Sequence, residues 1–360
     1  MGSVRTPDFE LSLGTNDFSS KDMKSLVKSI EVEQLSDGAS SFKIMLDDAK
    51  DIFSTGSKKI REGDNCVIKM GFVETGVSQV IEGIVTGVKE NRKEFGRKIY
   101  QISGFDGLQA LTRGRKRRSW EKIKDSDIAG IIADECGLGR DIEDSGIIQP
   151  FVVQNNVTNL AFLYERARRI GFEVKVEKKN LVFKKPLKTN CGITIRWNAK
   201  EADGSTSLLQ SCDFDTTTMN VVDKVVVRSY NPDTAQPIIA SSSTVEGEGM
   251  GGKVATSIAS IANPSTTVQY SDTPVYSEEE AEALAKSLLN QRADNFLTGR
   301  GSCQGNAAIK CGSTVNILDI GAEMEGEYYI TSAKHSLKAG GGQGFGYWTS
   351  FTVSRSGRGN

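Results

Sequence analysis

The 360-residue chain has one histidine, His335, and its six cysteines (Cys66, Cys136, Cys191, Cys212, Cys303 and Cys311) form no Cys-x-x-Cys pair. A structural zinc site needs clustered thiolates or imidazoles, so this scatter argues against one. The thiols read as small buried hydrophobes. Cys303 and Cys311 flank a turn, but without an export signal no disulfide is expected between them. No apolar run is long enough to span a membrane as a helix, and no membrane insertion is expected. The start, Met1-Gly2-Ser3-Val4-Arg5, leads into polar sequence, so no signal peptide is expected and synthesis is placed in the cytoplasm. Charge of one sign is also lacking: 45 Lys and Arg face 46 Asp and Glu, for a formal net charge of −1. That balance is unlike the basic footprint of a nucleic-acid-binding domain.

Catalytic constellations are equally scarce. His335 sits at a strand end beside a turn, with no nucleophile or paired acid marked near it, and reads as a packing or hydrogen-bonding residue. Gly247 to Gly252 matches GxGxxG, yet no strand feeds it and no helix of a βαβ unit follows, so it reads as a flexible loop. Gly342, Gly344 and Gly346 read as a hairpin turn. The run Glu278-Glu279-Glu280 lies in a helix's first turn, where negative charge complements the macrodipole. No catalytic, cofactor-binding or metal-ligating residue is expected, and the chain does not read as an enzyme. One charged cluster stands out: Arg113, Arg115, Lys116, Arg117 and Arg118. With no aromatic platform between them, these read as a solvated or partner-facing basic loop.

What the chain does contain is period-two alternation. Residues 1–112 carry several short strands, including Lys28 to Val32, Ser41 to Leu46, and stretches at 65–72, 80–90 and 98–104. This predicts a small β-barrel. Residues 113–186 read as a small α+β unit. Asp125-Ser126-Asp127 caps one helix and Gly137 stops it. A second helix starts near Thr158 and ends at Gly171, followed by a hairpin turning at Lys178 to Asn180. Residues 187–360 return to β character. They include a long, mobile insertion at about 232–272, low in periodicity, and a helix at about 277–296 opened by a Ser277–Glu280 capping box.

The first and third parts echo each other. Ile60-Arg61-Glu62-Gly63 and the following strand recur as Ile309-Lys310-Cys311-Gly312 and its strand. Ile84-Val85-Thr86-Gly87-Val88-Lys89 aligns with Tyr329-Ile330-Thr331-Ser332-Ala333-Lys334. After polar turns at 93–97 and 340–346, Tyr100 to Ser103 aligns with Phe351 to Ser354. The expected fold is mainly β, with two similar small barrels, the α+β unit between them and one long helix in the C-terminal half. A chain carrying one barrel twice can offer two similar faces to a symmetric partner.

The ordered segments resemble the phage late control gene D family, the hub proteins of contractile tails and injection systems, including the N-terminal part of VgrG proteins. The likeness rests on Gly83 to Val88 with Tyr100 to Asp106, Asp127 to Ala133 with Cys136-Gly137-Leu138, and Asn159 to Ala167 with Gly171-Phe172-Glu173. It continues through Gly312 to Val315, Gly326 to Ile330, His335 and Tyr347 to Val353. The resemblance implies a structural baseplate hub without cofactors. Three chains would form a pseudo-sixfold ring joining a hexameric inner tube to a trimeric spike, assembled with other baseplate components. Unlike VgrG, the sequence stops after the last barrel strand, so the spike is expected to be a separate chain. Two alternatives remain. One is a carbohydrate- or wall-binding module resting on Trp120, Tyr164, Phe151, Phe162, Phe172 and Phe183. The other is a nucleic-acid-contacting channel component resting on residues 113–118.

Overall fold

The computed structural model describes residues 5–48, 51–54, 56–92, 98–197, 205–231, 234–245, 253–262, 266–340 and 344–359. The turn at 93–97 and the glycine motif at 247–252 lie outside them, as does Gly342.

The chain opens with strands β1 (Pro7–Leu13) and β2 (Asn16–Asp17), a short helix α1 (Lys21–Leu26), and strands β3 (Val27–Leu35), β4 (Ser41–Asp47), β5 (Asn65–Phe72), β6 (Gly76–Arg92) and β7 (Lys98–Phe105). Their alternation buries Phe9, Leu11, Ile30, Val32, Ile44 and Ile68 on one face, which is the barrel interior. The middle segment contributes β8 (Lys116–Lys124), α2 (Asp125–Glu135), β9 (Gly139–Ile142), β10 (Ile148–Val157), α3 (Asn159–Ile170), β11 (Glu173–Glu177) and β12 (Asn180–Lys184). Its helix signals are realised. The Thr158 hydroxyl accepts from Ala161 N at 3.2 Å, and Gly171 takes the left-handed φ of 70° that ends α3. At α2 the acidic triplet divides its roles. Asp127 accepts from Lys124 N at 3.4 Å, while Asp125 lies inside the helix and receives two hydrogen bonds from Arg166.

The last part supplies β13 (Asn190–Arg196), β14 (Thr206–Thr216), β15 (Lys224–Asn231), β16 (Gln236–Ser242), β17 (Lys253–Val254), α4 (Ala255–Ala262), β18 (Thr267–Tyr270) and α5 (Glu278–Ala293). It ends with β19 (Leu297–Gln304), β20 (Thr314–Leu318), β21 (Gly326–Gly340), β22 (Gly344–Arg355) and β23 (Gly357–Arg358). Low periodicity between 232 and 272 marks the expected mobile insertion but no strand or helix. Instead, its described residues form β16 and β18 on either side of β15, plus β17 and α4. The β15 sheet packs on α5 through Val225, Val227, Leu284, Ala285 and Leu289. Short strands interrupted by Ser and Gly hide a sheet whose parallel β15–β18 pair joins residues far apart in sequence.

The barrel repeat is a repeat of topology. In the first copy the strands lie in the order β1-β5-β6-β7-β4-β3, and in the second β13-β20-β21-β22-β19-β14. Setting aside the short β2, both orders are the same permutation of chain order. The local geometry also repeats. Gly63 N donates to Val85 O at 2.8 Å and Gly312 N to Ile330 O at 3.0 Å, with left-handed φ of 93° and 85°. The β6–β7 ladder breaks between Val85 and Gly87, and the β21–β22 ladder between Ile330 and Ser332. The residues within these breaks, Thr86 and Thr331, donate their hydroxyls to the carbonyls of Ser103 and Thr352. These pairs make Ser103 the counterpart of Thr352, so the last strands align two residues away from the sequence alignment.

The copies differ at their first strand and in how they close. β1 runs antiparallel to β5, whereas β13 runs parallel to β20. β13 also pairs with β14 and closes the second barrel as a ring of six strands. The first copy is completed by the outer arm of the β21–β22 hairpin. There Ser332–Lys338 pairs with Leu35–Ser29, while Leu337 and Tyr347 enter the first core. Both copies therefore belong to one 13-stranded sheet.

Candidate functional site

The shared hairpin carries His335. Fully buried, its Nε2 lies 3.0 Å from the Ile309 carbonyl, which can only accept, so Nε2 carries the proton. Nδ1 then accepts from the Tyr347 hydroxyl at 2.9 Å, with the Thr349 hydroxyl 3.2 Å away. Burial lowers the His335 pKa to about 4, so the ring is neutral near pH 7. Gly305 backs this cluster, and a Cβ there would come within 2.2 Å of the Tyr347 ring. The histidine thus joins the two barrels through hydrogen bonds.

A cleft of about 1200 Å³ lies where the two barrels meet the α+β unit. Gly63 and Gly312 both line it, so the repeated turns converge on one place. Two of its lysines are paired with carboxylates. Lys175 lies 3.0 Å from Glu173 and 2.9 Å from Glu177, Lys179 lies 3.4 Å from Glu82, and the Tyr329 hydroxyl donates to Glu173 at 3.3 Å. Burial pushes the Cys311 thiol up to about 12, which keeps it protonated, and the same group donates to Thr331 O at 3.1 Å. Asp106 is also raised by burial, against hydrogen bonds from the Ser40 and Leu108 amides. These pairs brace three units against each other. All six cysteines are free thiols, Cys303 and Cys311 included.

The basic segment is divided by strand alternation. Residues 116–118, expected in a loop, belong to β8, which pairs with β10. Lys116 and Arg118 turn toward α2 and share the Glu135 carboxylate. Arg118 also donates to Gln154 Oε1 at 2.8 Å and Asn159 Oδ1 at 3.2 Å, and lies over the Trp120 ring. Arg113, Arg115 and Arg117 are exposed. The structure therefore leaves three of the five basic residues facing outward. Among the aromatics of the wall-binding alternative, Phe162, Phe172 and Phe183 are buried, and Trp120 stacks on Phe162 at 5.6 Å. Only Phe151 is exposed.

Glu280 lies in the first turn of α5, as expected of its acidic run, and has a second role there. It is buried and 2.7 Å from Arg169, tying α5 to α3. No sequence pattern marks that pairing, because the partners are 111 residues apart. No group of three or more His, Cys, Asp or Glu side chains among the described residues is placed to hold a metal ion, and no described helix is long and apolar enough to cross a membrane.

The family model described as the Alg8 N-terminal domain matches residues 15–339. No curated protein matches the chain. Among solved structures, a 43 kDa tail protein of prophage MuSo2 from Shewanella oneidensis is similar over 98% of this chain and 99% of its own, with 14% identity and a TM-score of 0.70. A tail protein from Neisseria meningitidis MC58 is similar over 97% of both chains, with 12% identity and a TM-score of 0.63. The E. coli c3393 protein, described as a component of the type VI secretion system, is similar over 91% of this chain and 73% of its own, at 12% identity and a TM-score of 0.55. At these identities the likeness is one of fold.

Proposed function

The chain belongs to the family of the Alg8 N-terminal domain, and from its duplicated barrel we propose that it is a structural hub of a contractile tail or injection-system baseplate. The narrower kinship with late control gene D hubs and VgrG N-termini is part of this proposal, as is assembly into such a particle. One observation carries it: the two barrels repeat the same strand order side by side in one sheet. Three such chains in a ring present six similar barrels. Six barrels match a hexameric inner tube, while the threefold body matches a trimeric spike. In this role the chain acts through interfaces, with itself, the tube protein, the spike protein and other baseplate components as partners. The tail proteins that share its fold support the reading. The proposed domain division follows the two barrels and the α+β unit, at about 1–112, 113–186 and 187–360, and the proposed partner-facing basic groups are Arg113, Arg115 and Arg117.

The test is assembly. Sedimentation of the purified chain, alone and with tube and spike proteins from the same gene neighbourhood, is expected to give a trimer that joins both. A stable monomer that binds neither sinks the proposal.

A further inference from the structure

The two barrel copies use their edges unequally. In the second copy, the ladder break at Ile330 and Ser332 marks where β21 leaves β20; beyond it Ser332–Lys338 passes to β3. The same break in the first copy lies at Val85 and Gly87, where β6 leaves β5. Beyond it, Gly87–Arg92 pairs with β7 on one side, and no other described strand lies on its outer edge. The strand corresponding to β3 is β14. The β3–β4 break between Val27 and Ser29 recurs in β14–β19 between Leu209 and Ser211. Among the described residues, β14 from Ser211 onward pairs with β19 alone, since β13 reaches it just over Thr206–Leu208. The chain thus makes one β21–β3 seam and holds the two halves of an equivalent seam apart, on opposite copies.

We propose that this second seam forms between two copies of the chain, with β6 of one pairing antiparallel with β14 of the next. This deepens the hub reading and rests on it. The register carries over from the internal seam. Lys334 faces Glu33 there, and Ser336 faces Glu31. Their counterparts set Lys89 opposite Asp215 and Asn91 opposite Asp213.

Charge and burial favour this pairing. In the internal seam Lys334 and Lys338 lie 3.4 and 3.2 Å from Glu31. The second seam repeats that polarity, with Lys89 in the place of Lys334 and Asp213 and Asp215 in the places of Glu31 and Glu33. Lys89, Asp213 and Asp215 are exposed. On the inner face, Ile30, Val32 and Ala333 are fully buried by the internal seam. Their counterparts Cys212, Phe214 and Val88 are only half-buried. A neighbouring strand completes that burial and pairs two exposed edges that otherwise invite unspecific association. The contact is head to tail, so it propagates around a ring.

Paired cysteines test the seam. Lys89→Cys and Asp215→Cys chains, mixed and mildly oxidised, are expected to form a disulfide-linked pair of chains. Either variant alone gives the background of the native thiols. The double variant Glu33→Cys with Lys334→Cys, placed at the equivalent position of the internal seam, is the control and links within one chain. An oligomer in which the control links but Lys89→Cys and Asp215→Cys do not overturns the seam and leaves the hub reading standing. A monomer at every concentration, with or without tube and spike proteins, overturns both. Lys89→Glu is expected to weaken assembly about 10-fold, and adding Asp213→Lys, at the counterpart of the Glu31 that Lys334 meets in the internal seam, to restore it. Failure of that rescue also counts against the proposed register.

Discussion

Arg169 of α3 and Glu280 of α5 meet at 2.7 Å with side chains only 11% and 3% exposed. Arg169 also donates to the Pro274 carbonyl at 2.6 Å, and the second Glu280 oxygen accepts from Tyr276 N at 2.9 Å. The pair fastens the α+β unit to the helix that bears the β15 sheet. Removing one partner leaves the other charge buried and uncompensated, so Glu280→Ala is expected to cost about 3–5 kcal/mol. Replacing both, as Arg169→Met with Glu280→Leu, is expected to cost much less. Urea denaturation of the three proteins checks this, and a single substitution costing under about 1 kcal/mol contradicts it.

Stability is expected to fall in mild acid because of His335. Its folded pKa is lowered by burial from 6.5 to about 4, with the Ile309 hydrogen bond opposing the shift. The unfolded chain therefore takes up a proton that the folded chain refuses. This contribution is complete above about pH 6.5 and is lost as pH falls toward 4, to the extent of roughly 3 kcal/mol. A glutamine offers a donor and an acceptor but does not titrate. Denaturation midpoints of the native chain and His335→Gln, compared across that window, should diverge, with the variant showing the shallower dependence. Parallel profiles would remove His335 from the account.

Much of this fold was legible in the sequence where the signal is local. Thr158 and Gly171 bound α3 because a cap hydroxyl and a left-handed glycine act within a few residues of the helix. The echo of Gly63 in Gly312 was legible because a turn needing positive φ is written in glycine. Register was not. Shifting a strand by two residues keeps every side chain on its face, so the pattern around Tyr100 and Phe351 fits two alignments equally well, and only the Ser103 and Thr352 ladder positions decide. The basic segment misled for a related reason. Lys116, Arg118 and Trp120 alternate with Arg117, Ser119 and Glu121 in a ribbon, but charges on both faces mask the period. The cleft and the Arg169–Glu280 pair come from residues far apart in the chain and left no local trace.

Gly63 and Gly312 do the same work, so their substitution is expected to have the same effect. Neither turn conformation suits a side chain, and a Cβ on Gly63 would meet nothing within 4 Å. The cost is therefore mainly that of the left-handed backbone, about 1–2 kcal/mol for alanine at either site. Gly104 differs. Its backbone is ordinary strand, but a Cβ would come within 2.2 Å of the Ile84 carbonyl and 2.3 Å of the Phe42 ring. Gly104→Ala is expected to destabilise more than either turn variant, since backbone atoms of β6 must shift. Thermal melts of the three proteins rank these effects, and a Gly104→Ala protein as stable as the native chain contradicts the packing argument.

Alternation along β8 separates arginines that hold the fold from arginines that face outward. Arg118 satisfies Gln154, which is fully buried, and Asn159, and shares Glu135 with Lys116. Truncating it removes the donor to the buried Gln154 Oε1, so Arg118→Ala is expected to lose about 1–3 kcal/mol. Arg113, Arg115 and Arg117 are exposed, and alanine at each is expected to change stability by no more than about 0.5 kcal/mol. Partner contact predicts the reverse order. If the outward arginines meet an acidic surface or a polyanion, neutralising all three should lower retention on heparin and weaken its salt dependence, while Arg118→Ala leaves retention close to native. Melting temperature and heparin elution measured on the same variants separate the two roles. Loss of stability at Arg117 comparable to that at Arg118 would show that the ribbon does not divide them.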